Sequence, residues 1–342
     1  MNSLVDVVRF AGLAPSLHNS QPWRWRVASE RALELFLERR RVLPATDPDG
    51  RLAVLSCGAG LHHASLQRAA DIARLPDQDD PDLLARLTLR DGVPVDVDSA
   101  RLAEAALWRR TDRRVTLGES VDLHRVRSVR AAVLARGADL SVVRPDQIFE
   151  LAAAASAAVE SEAAESAWRD EAAVWVGGSR VSGVGVPSSA LPPGLPTGLP
   201  PGLLSGLPPG LLSGLPPGLL SGLPPDTAIT LPALALRKAE AAEIRGSLRR
   251  AWVFAVLHTT GDTRLDWLIA GEALSAGWLT ATDLGLGVLP LSVVTEVARS
   301  RDRIRKLLGW AGYPHLVLRF AAAGVATAPA TPRLPLEGIV RR

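Results

Sequence analysis

The chain is poor in the residues that build covalent and metal frameworks. Its 342 residues include one cysteine, Cys57, so no disulfide can close within it. A lone thiol fits a reducing compartment, and a cytoplasmic location is the expectation. Lysine is nearly absent: Lys238 and Lys306 are the only two, and arginine carries almost all the positive charge. The net charge is only +3, with acids interspersed along the chain. Nucleic-acid proteins cluster basic charge on one face or tail, so nucleic acid is not an expected partner. No stretch of about 20 residues reads as a membrane helix. The longest uncharged run, 181–225, holds twelve prolines, which a spanning helix does not tolerate. The first ten residues carry Asp6 and Arg9 within their apolar run and lack the order of a secretory signal.

Familiar catalytic signatures are missing as well. There is no Gly-x-Ser-x-Gly elbow, no P-loop and no complete Gly-x-Gly-x-x-Gly turn. The Gly285-x-Gly287 pair follows a helical pattern rather than a strand. No paired carboxylates or Cys–His set stands out. His62 and His63 are adjacent and expected on different faces of a helix, a poor spacing for zinc, so no metal is expected.

What is present describes a globular protein. Hydrophobic residues make up 47% and charged residues 22%, enough for a real core. The length fits two units at roughly 100–200 residues each. From Pro192 to Leu223 the unit Pro-Pro-Gly-Leu-x-x-Gly-Leu occurs four times with period 8. Paired prolines at that period suit neither a helix nor a ladder-forming strand. Glycine every fourth residue excludes collagen. An extended, mobile loop or lid is the expectation, although its leucines could also rest on an apolar surface or a partner.

On either side of the repeat the patterns alternate between strand and helix. Residues 4–13, 52–73, 99–108, 146–167, 265–284 and 295–308 have helical spacing, with Ser99 as a plausible N-cap and a small-residue stripe at Ala53, Gly58, Ala59, Gly60 and Ala64. Residues 23–28, 33–37, 140–143, 252–257 and 316–320 read as strands. Without a strict strand–helix–strand rhythm, the class is α+β.

The segment Ala11 to Val27, AGLAPSLHNSQPWRWRV, is the most informative. It gathers Ser16, His18, Asn19, Ser20 and Gln21 between Pro15 and Pro22, after a helix and before a strand. Short hydrogen-bonding side chains on a stiff backbone suit a polar heterocycle or polyol. They equally suit a helix-capping turn. A second cluster, Trp-Arg-Arg-Thr-Asp-Arg-Arg-Val at 108–115, offers guanidinium forks and a hydroxyl, as a phosphate requires. The alternative is a solvated helix end with an Asp112 ion pair.

The Ala-Pro-Ser-x-x-Asn-Ser-Gln-Pro-Trp loop resembles the flavin-contacting loop of the nitroreductase family, whose members use FMN. Residues 43–63, 108–115, 270–292, 312–320 and 331–340 extend the resemblance to the double-length Acg-type branch over nearly all the chain except the repeat. It implies a nitroreductase-like fold made of two fused, half-homologous modules forming an intramolecular pseudo-dimer. The modules would be 1–97 for the first, 98–180 and 226–342 for the second, with 181–225 as an insert.

The resemblance also implies a site. Pro15, Ser16, Leu17, Asn19 and Gln21 would face the flavin. Arg109, Arg110, Thr111 and Arg113 would stand for the family's Arg-x-Ser phosphate grip. They come some 90 residues after the loop rather than before it, as fusion of two modules would explain. Arg333 would take the place of a basic pair near the C-terminus, with Leu334 replacing the second member. Pro290, Leu291 and Ser292 would run along the ring, unless 285–292 is simple core packing. The implied function is an FMN-dependent oxidoreductase that uses NADH or NADPH to reduce a nitroaromatic, quinone or similar small molecule. The alternative is a flavin-sequestering protein with little turnover. An interaction protein built on the Leu-Pro-Gly repeat is a third reading. No side-chain nucleophile is required, because the cofactor carries the hydride chemistry.

Overall fold

Two four-stranded antiparallel sheets organise the chain in this computed structural model, which describes residues 3–114, 120–177, 183–191, 232–246, 252–323 and 328–341. The repeat from Pro192 to Leu223, and with it the expectation of a mobile lid, lies outside the described residues.

Helix α1 (Leu4–Ala11) opens with a capping box: the Ser3 hydroxyl accepts from the Asp6 amide and the Asp6 carboxylate accepts from the Ser3 amide. Strands β1 (Trp23–Ser29) and β2 (Ala32–Leu37) form a hairpin. Helix α2 (Arg51–Ser65), β3 (Ala70–Arg74) and β4 (Leu83–Leu89) complete the first module. Helices α3 (Val97–Trp108) and α4 (Leu123–Leu134) lead to β5 (Asp139–Val142), α5 (Ile148–Ala164) and α6 (Ser166–Trp175). Beyond the insert come α7 (Pro232–Gly246), β6 (Val253–Thr259), α8 (Arg264–Asp283) and β7 (Leu286–Leu291). The short α9 (Val293–Glu296), α10 (Ala298–Leu307), β8 (Tyr313–Ala322) and α11 (Leu336–Ile339) follow.

The first sheet has the order β1-β2-β4-β3 and the second β5-β6-β8-β7. These are the same topology written twice. Each sheet also places its long buried helix between its second and third strands, α2 in one and α8 in the other. The architecture is therefore α+β with two modules of one plan.

The two helices meet at the centre of the molecule. Nearly all of α2 is buried, which a one-sided amphipathic helix does not achieve. The contact is possible because Gly58 and Gly271 face each other: a Cβ on Gly58 would overlap the Leu268 carbonyl oxygen, and one on Gly271 would overlap that of Leu55. The small-residue stripe of α2 is thus the surface that lets two helix backbones touch. The C-terminal segment returns to the first sheet, where the Arg341 amide donates to the Trp25 carbonyl at 2.6 Å and Ile339 joins the first core.

Several sequence expectations need correction. The helix read over 52–73 ends at Ser65, and 70–74 is edge strand β3, paired with β4. The cap of α3 is Asp96, whose carboxylate accepts from the Ser99 amide at 2.8 Å, so Ser99 lies inside the helix. The helix read over 146–167 breaks at Glu165, where the backbone is extended, and a second helix begins. The one read over 295–308 breaks likewise at Val297. His62 and His63 do not part company: both are buried, and their Nδ1 atoms reach the same Ser275 hydroxyl at 2.8 and 3.0 Å.

Candidate functional site

A deep cleft opens where the two modules meet. It holds about 950 Å³ of free space, counting the part open to solvent. The loop 15–19, α2, the segment 109–113, α7, α8, the end of β7 and the tail at 331–333 supply most of its lining, and Val176, Val186 and Leu316 complete it. Its apolar wall comes from Leu52 and Leu55 on α2, Leu274 and Trp278 on α8, and Leu316.

The loop after α1 is strained where it enters the cleft. His18, Asn19 and Gln21 have φ of 45°, 56° and 49°, the left-handed region that non-glycine residues seldom occupy. Such strain persists only where surrounding contacts over-determine it, and it concentrates at binding sites. The contacts are visible here. The Ser16 hydroxyl accepts from the Gln21 amide at 3.0 Å, and the Leu17 amide donates to Ser56 on α2 at 3.3 Å. The Asn19 amide nitrogen donates to the Gly185 and Pro332 carbonyls at 3.1 and 2.9 Å, while its oxygen accepts from Arg333 at 2.6 Å.

The segment carrying Arg109, Thr111 and Arg113 is added to the second sheet beside β7. Thr111 pairs with Val288, and the Asp112 amide donates to the Val288 carbonyl at 2.9 Å. Gly287 permits the approach, since a Cβ there would lie 2.6 Å from the Asp112 carboxylate. From β8, Arg319 donates to the Asp112 and Arg114 carbonyls at 2.6 and 3.0 Å and clamps the segment from behind.

Two guanidinium groups converge in one corner of the cleft. Arg109 and Arg333 both donate to the Leu13 carbonyl, at 3.4 and 3.1 Å. Arg109 is buried, with its guanidinium 4.7 Å from the Trp278 ring centre. Among the described residues no carboxylate forms an ion pair with either, and the Nε atoms of both have no hydrogen-bond partner while sealed from solvent. Burial, then the charges of Arg333 and Arg110, hold the Arg109 guanidinium well below its usual range. Burial and Arg110 lower Arg333 to about 10. A guanidinium keeps its proton in a protein, so these shifts measure positive charge in want of an anion.

Ten of the thirteen expected residues line this cleft: Pro15, Ser16, Leu17, Asn19, Arg109, Thr111, Arg113, Pro290, Ser292 and Arg333. Three do not. Gln21 is buried behind the loop, where its side chain ties the Gly183 carbonyl to the Leu334 amide. The Arg110 guanidinium turns back to the Leu107 and Arg109 carbonyls. Leu291 points into the core from β7, as alternation along a strand requires of the neighbour of Pro290. The sequence reading missed His18 as a wall residue, and Arg237 and Glu240 on α7 altogether. His18 stood in the quoted loop, whereas α7 has no motif of its own. Among the described residues, no group of acidic, histidine and cysteine residues is placed to hold a metal ion, and no helix is long and apolar enough to cross a membrane.

The chain is similar to proteins of Mycobacterium tuberculosis that carry the provisional name NAD(P)H nitroreductase. One is 35% identical over 347 residues, covering 98% of this chain and 90% of the relative. Another, Acg, is 33% identical over 345 residues, covering 98% of this chain and 94% of Acg. The chain belongs to this nitroreductase family, in the branch that contains Acg. No family model matches it. Among solved structures, the FMN-dependent nitroreductase NfnB of Mycobacterium smegmatis, in complex with NADPH, aligns with a TM-score of 0.42 at 17% identity, over 71% of this chain and 98% of NfnB.

Proposed function

We propose that the protein is an FMN-dependent oxidoreductase that takes electrons from NADH or NADPH and passes them to a nitroaromatic, quinone or similar small acceptor. The observation that carries this reading is the convergence of Arg109 and Arg333 on the Leu13 carbonyl, with sealed Nε donors and no carboxylate partner. Two adjacent guanidinium groups, Arg109 buried and Arg333 half-buried, without an anion are an unfavourable arrangement, and a phosphate dianion fits it. FMN ends in such a group. The names of the relatives supply the nicotinamide donor.

In this reading Arg109, Arg333 and the Thr111 and Thr331 hydroxyls hold the phosphate. Pro15 to Leu17, Pro290 and Ser292 hold the ring and its polyol arm, and Leu52, Leu55 and Trp278 exclude water from the ring's surroundings. Asn19 acts through Arg333, whose fork it orients. Bound FMN supplies the two-electron chemistry, and no protein nucleophile is needed. The topological duplication supports one closed site between two modules of a single chain.

The test is spectroscopic. The purified protein should be yellow with one FMN per chain, and NADPH or NADH should bleach it under anaerobic conditions. Two equivalents of FMN by calorimetry would contradict the single shared site. A flavin that binds but resists bleaching by both donors would favour storage over turnover.

A further inference from the structure

Behind the cleft wall three glutamates surround one arginine. Arg237 on α7 donates to both oxygens of Glu296 on α9, at 2.8 and 2.7 Å. Its Nε lies 3.8 Å from Glu162 on α5. One turn along α7, Glu240 faces the cleft. All four side chains are buried. Arg237 also donates to the Ser292 hydroxyl at 3.2 Å and sits 3.3 Å from His18 Nε2, both on the cleft wall.

Charge decides what this cluster contains. Three ionised carboxylates against Arg237 and the nearby Arg113 still leave a buried excess of negative charge, which is unfavourable. Arg113 and Arg319 approach Glu240 from the 109–114 segment and from β8, but neither is ion-paired with it. His18 adds no charge, because burial and then Arg237 lower its imidazole to about 3. The geometry points the same way. The Glu162 oxygens receive no hydrogen bond from any described N–H or hydroxyl, and the Arg237 Nε that approaches them stays 3.8 Å away. A buried carboxyl with no donor to its oxygens favours its protonated form. Burial works against ionised Glu296, yet Arg237, which donates to both its oxygens, outweighs it and holds Glu296 ionised. Burial raises Glu162 to about 10 and Glu240 above the usual range, against the pull of Arg237 in both cases.

We propose that Glu162, Glu240 and Glu296 form a proton store beside the cleft, and that Glu240 delivers a proton to the bound acceptor. The delivery step rests on the oxidoreductase reading above. For a quinone the balance is NAD(P)H + H⁺ + quinone → NAD(P)⁺ + quinol. The donor provides two electrons and one proton as hydride. The Glu240 carboxyl breaks its O–H bond to give the second proton to a quinone oxygen. Its carboxylate then regains a proton from the Glu162–Glu296 pair, which refills from solvent. Glu240 is the catalytic residue in this scheme, and Glu162 and Glu296 act through it.

The first test needs no turnover. Infrared spectra of the unmodified protein at neutral pH should show a protonated-carboxyl band that shifts in D₂O. Glu162→Gln and Glu240→Gln should each remove part of it, since glutamine keeps the shape and neutrality of a protonated glutamate. A wild-type protein without the band overturns the store. A second readout follows from linkage. Glu162 holds its proton in the folded state and loses it on unfolding at any pH between 4.5 and about 10. Its contribution to stability is therefore complete below 4.5 and is lost as pH rises towards 10. The melting temperature of the wild type minus that of Glu162→Gln should decline steadily over this range, and a difference independent of pH counts against the proposal.

Kinetics then test delivery. FMN-loaded Glu240→Gln is followed in both half-reactions, with reoxidation judged against its own anaerobic bleaching by the nicotinamide donor. Reoxidation by a quinone should slow by about a hundredfold, within the range for a positioned general acid. It should also lose the wild-type decline with rising pH. Unchanged reoxidation in this variant overturns delivery and leaves the oxidoreductase reading intact. A wild type that neither NADPH nor NADH bleaches sinks that reading and the delivery step with it, whatever the infrared spectra show.

Discussion

The double variant Arg109→Ala/Arg333→Ala should lose FMN affinity by about 3–6 kcal/mol, while riboflavin binding falls much less. Each charge-assisted bond to the phosphate is worth roughly 1.5–3 kcal/mol, and each arginine offers at least one. Riboflavin lacks the phosphate and meets only the ring and polyol contacts, so the difference between the two ligands isolates the phosphate corner. Isothermal titration of both ligands against wild type and variant measures it. Arg110→Ala is the internal control. Its guanidinium caps the Leu107 and Arg109 carbonyls instead of facing the cleft, so its effect on FMN should be small. Equal losses for FMN and riboflavin in the double variant would show that these arginines support the loop rather than grip a phosphate. Both do donate to the Leu13 carbonyl, which makes that outcome a real contest.

Gly271→Ala should be among the most damaging single substitutions for stability. The added methyl would overlap the Leu55 carbonyl oxygen and lie 2.9 Å from the Gly58 Cα. Those atoms are helix backbone and cannot rotate aside, so α2 and α8 must separate. Overpacking a core costs about 1–3 kcal/mol and occasionally more, and backbone against backbone belongs at the upper end. A loss of about 3 kcal/mol lowers the melting temperature by roughly 6–12 °C in a protein of some 200 residues, and somewhat less in a longer chain. Gly246→Ala, whose new Cβ meets nothing within 4 Å at the end of α7, should be close to neutral. Because α2 supplies Leu52, Leu55 and Ser56 to the cleft and α8 supplies Leu274 and Trp278, the separation should weaken FMN as well. A Gly271→Ala protein that melts with the wild type would refute the close approach of the two helices.

Local chemistry accounts for what the sequence by itself determined. The class followed from the mix of periodicities. The loop from Pro15 to Gln21 was legible because two prolines and a run of short polar residues mark it without reference to the rest of the chain. The small-residue stripe of α2 was legible too, although its partner was not. The resemblance located Arg109, Thr111 and Arg113 and added Arg333 from the far end of the chain.

Tertiary structure decided the rest, and each case has a physical reason. Residues 70–74 carry helical spacing yet form β3, because strand pairing with β4 outweighs a weak local preference. The alanine-rich run over 146–167 has no breaker of its own, and the bend at Glu165 belongs to the packing of α5 and α6. Arg110 and Arg113 look alike in the sequence. Pairing of Thr111 with Val288 sets the phase of that segment, and Arg113 reaches the cleft while Arg110 does not. Glu162, Arg237 and Glu296 come from three helices far apart along the chain. No spacing rule links them. Their charge imbalance is a property of burial, which exists only once α5, α7 and α9 have packed together.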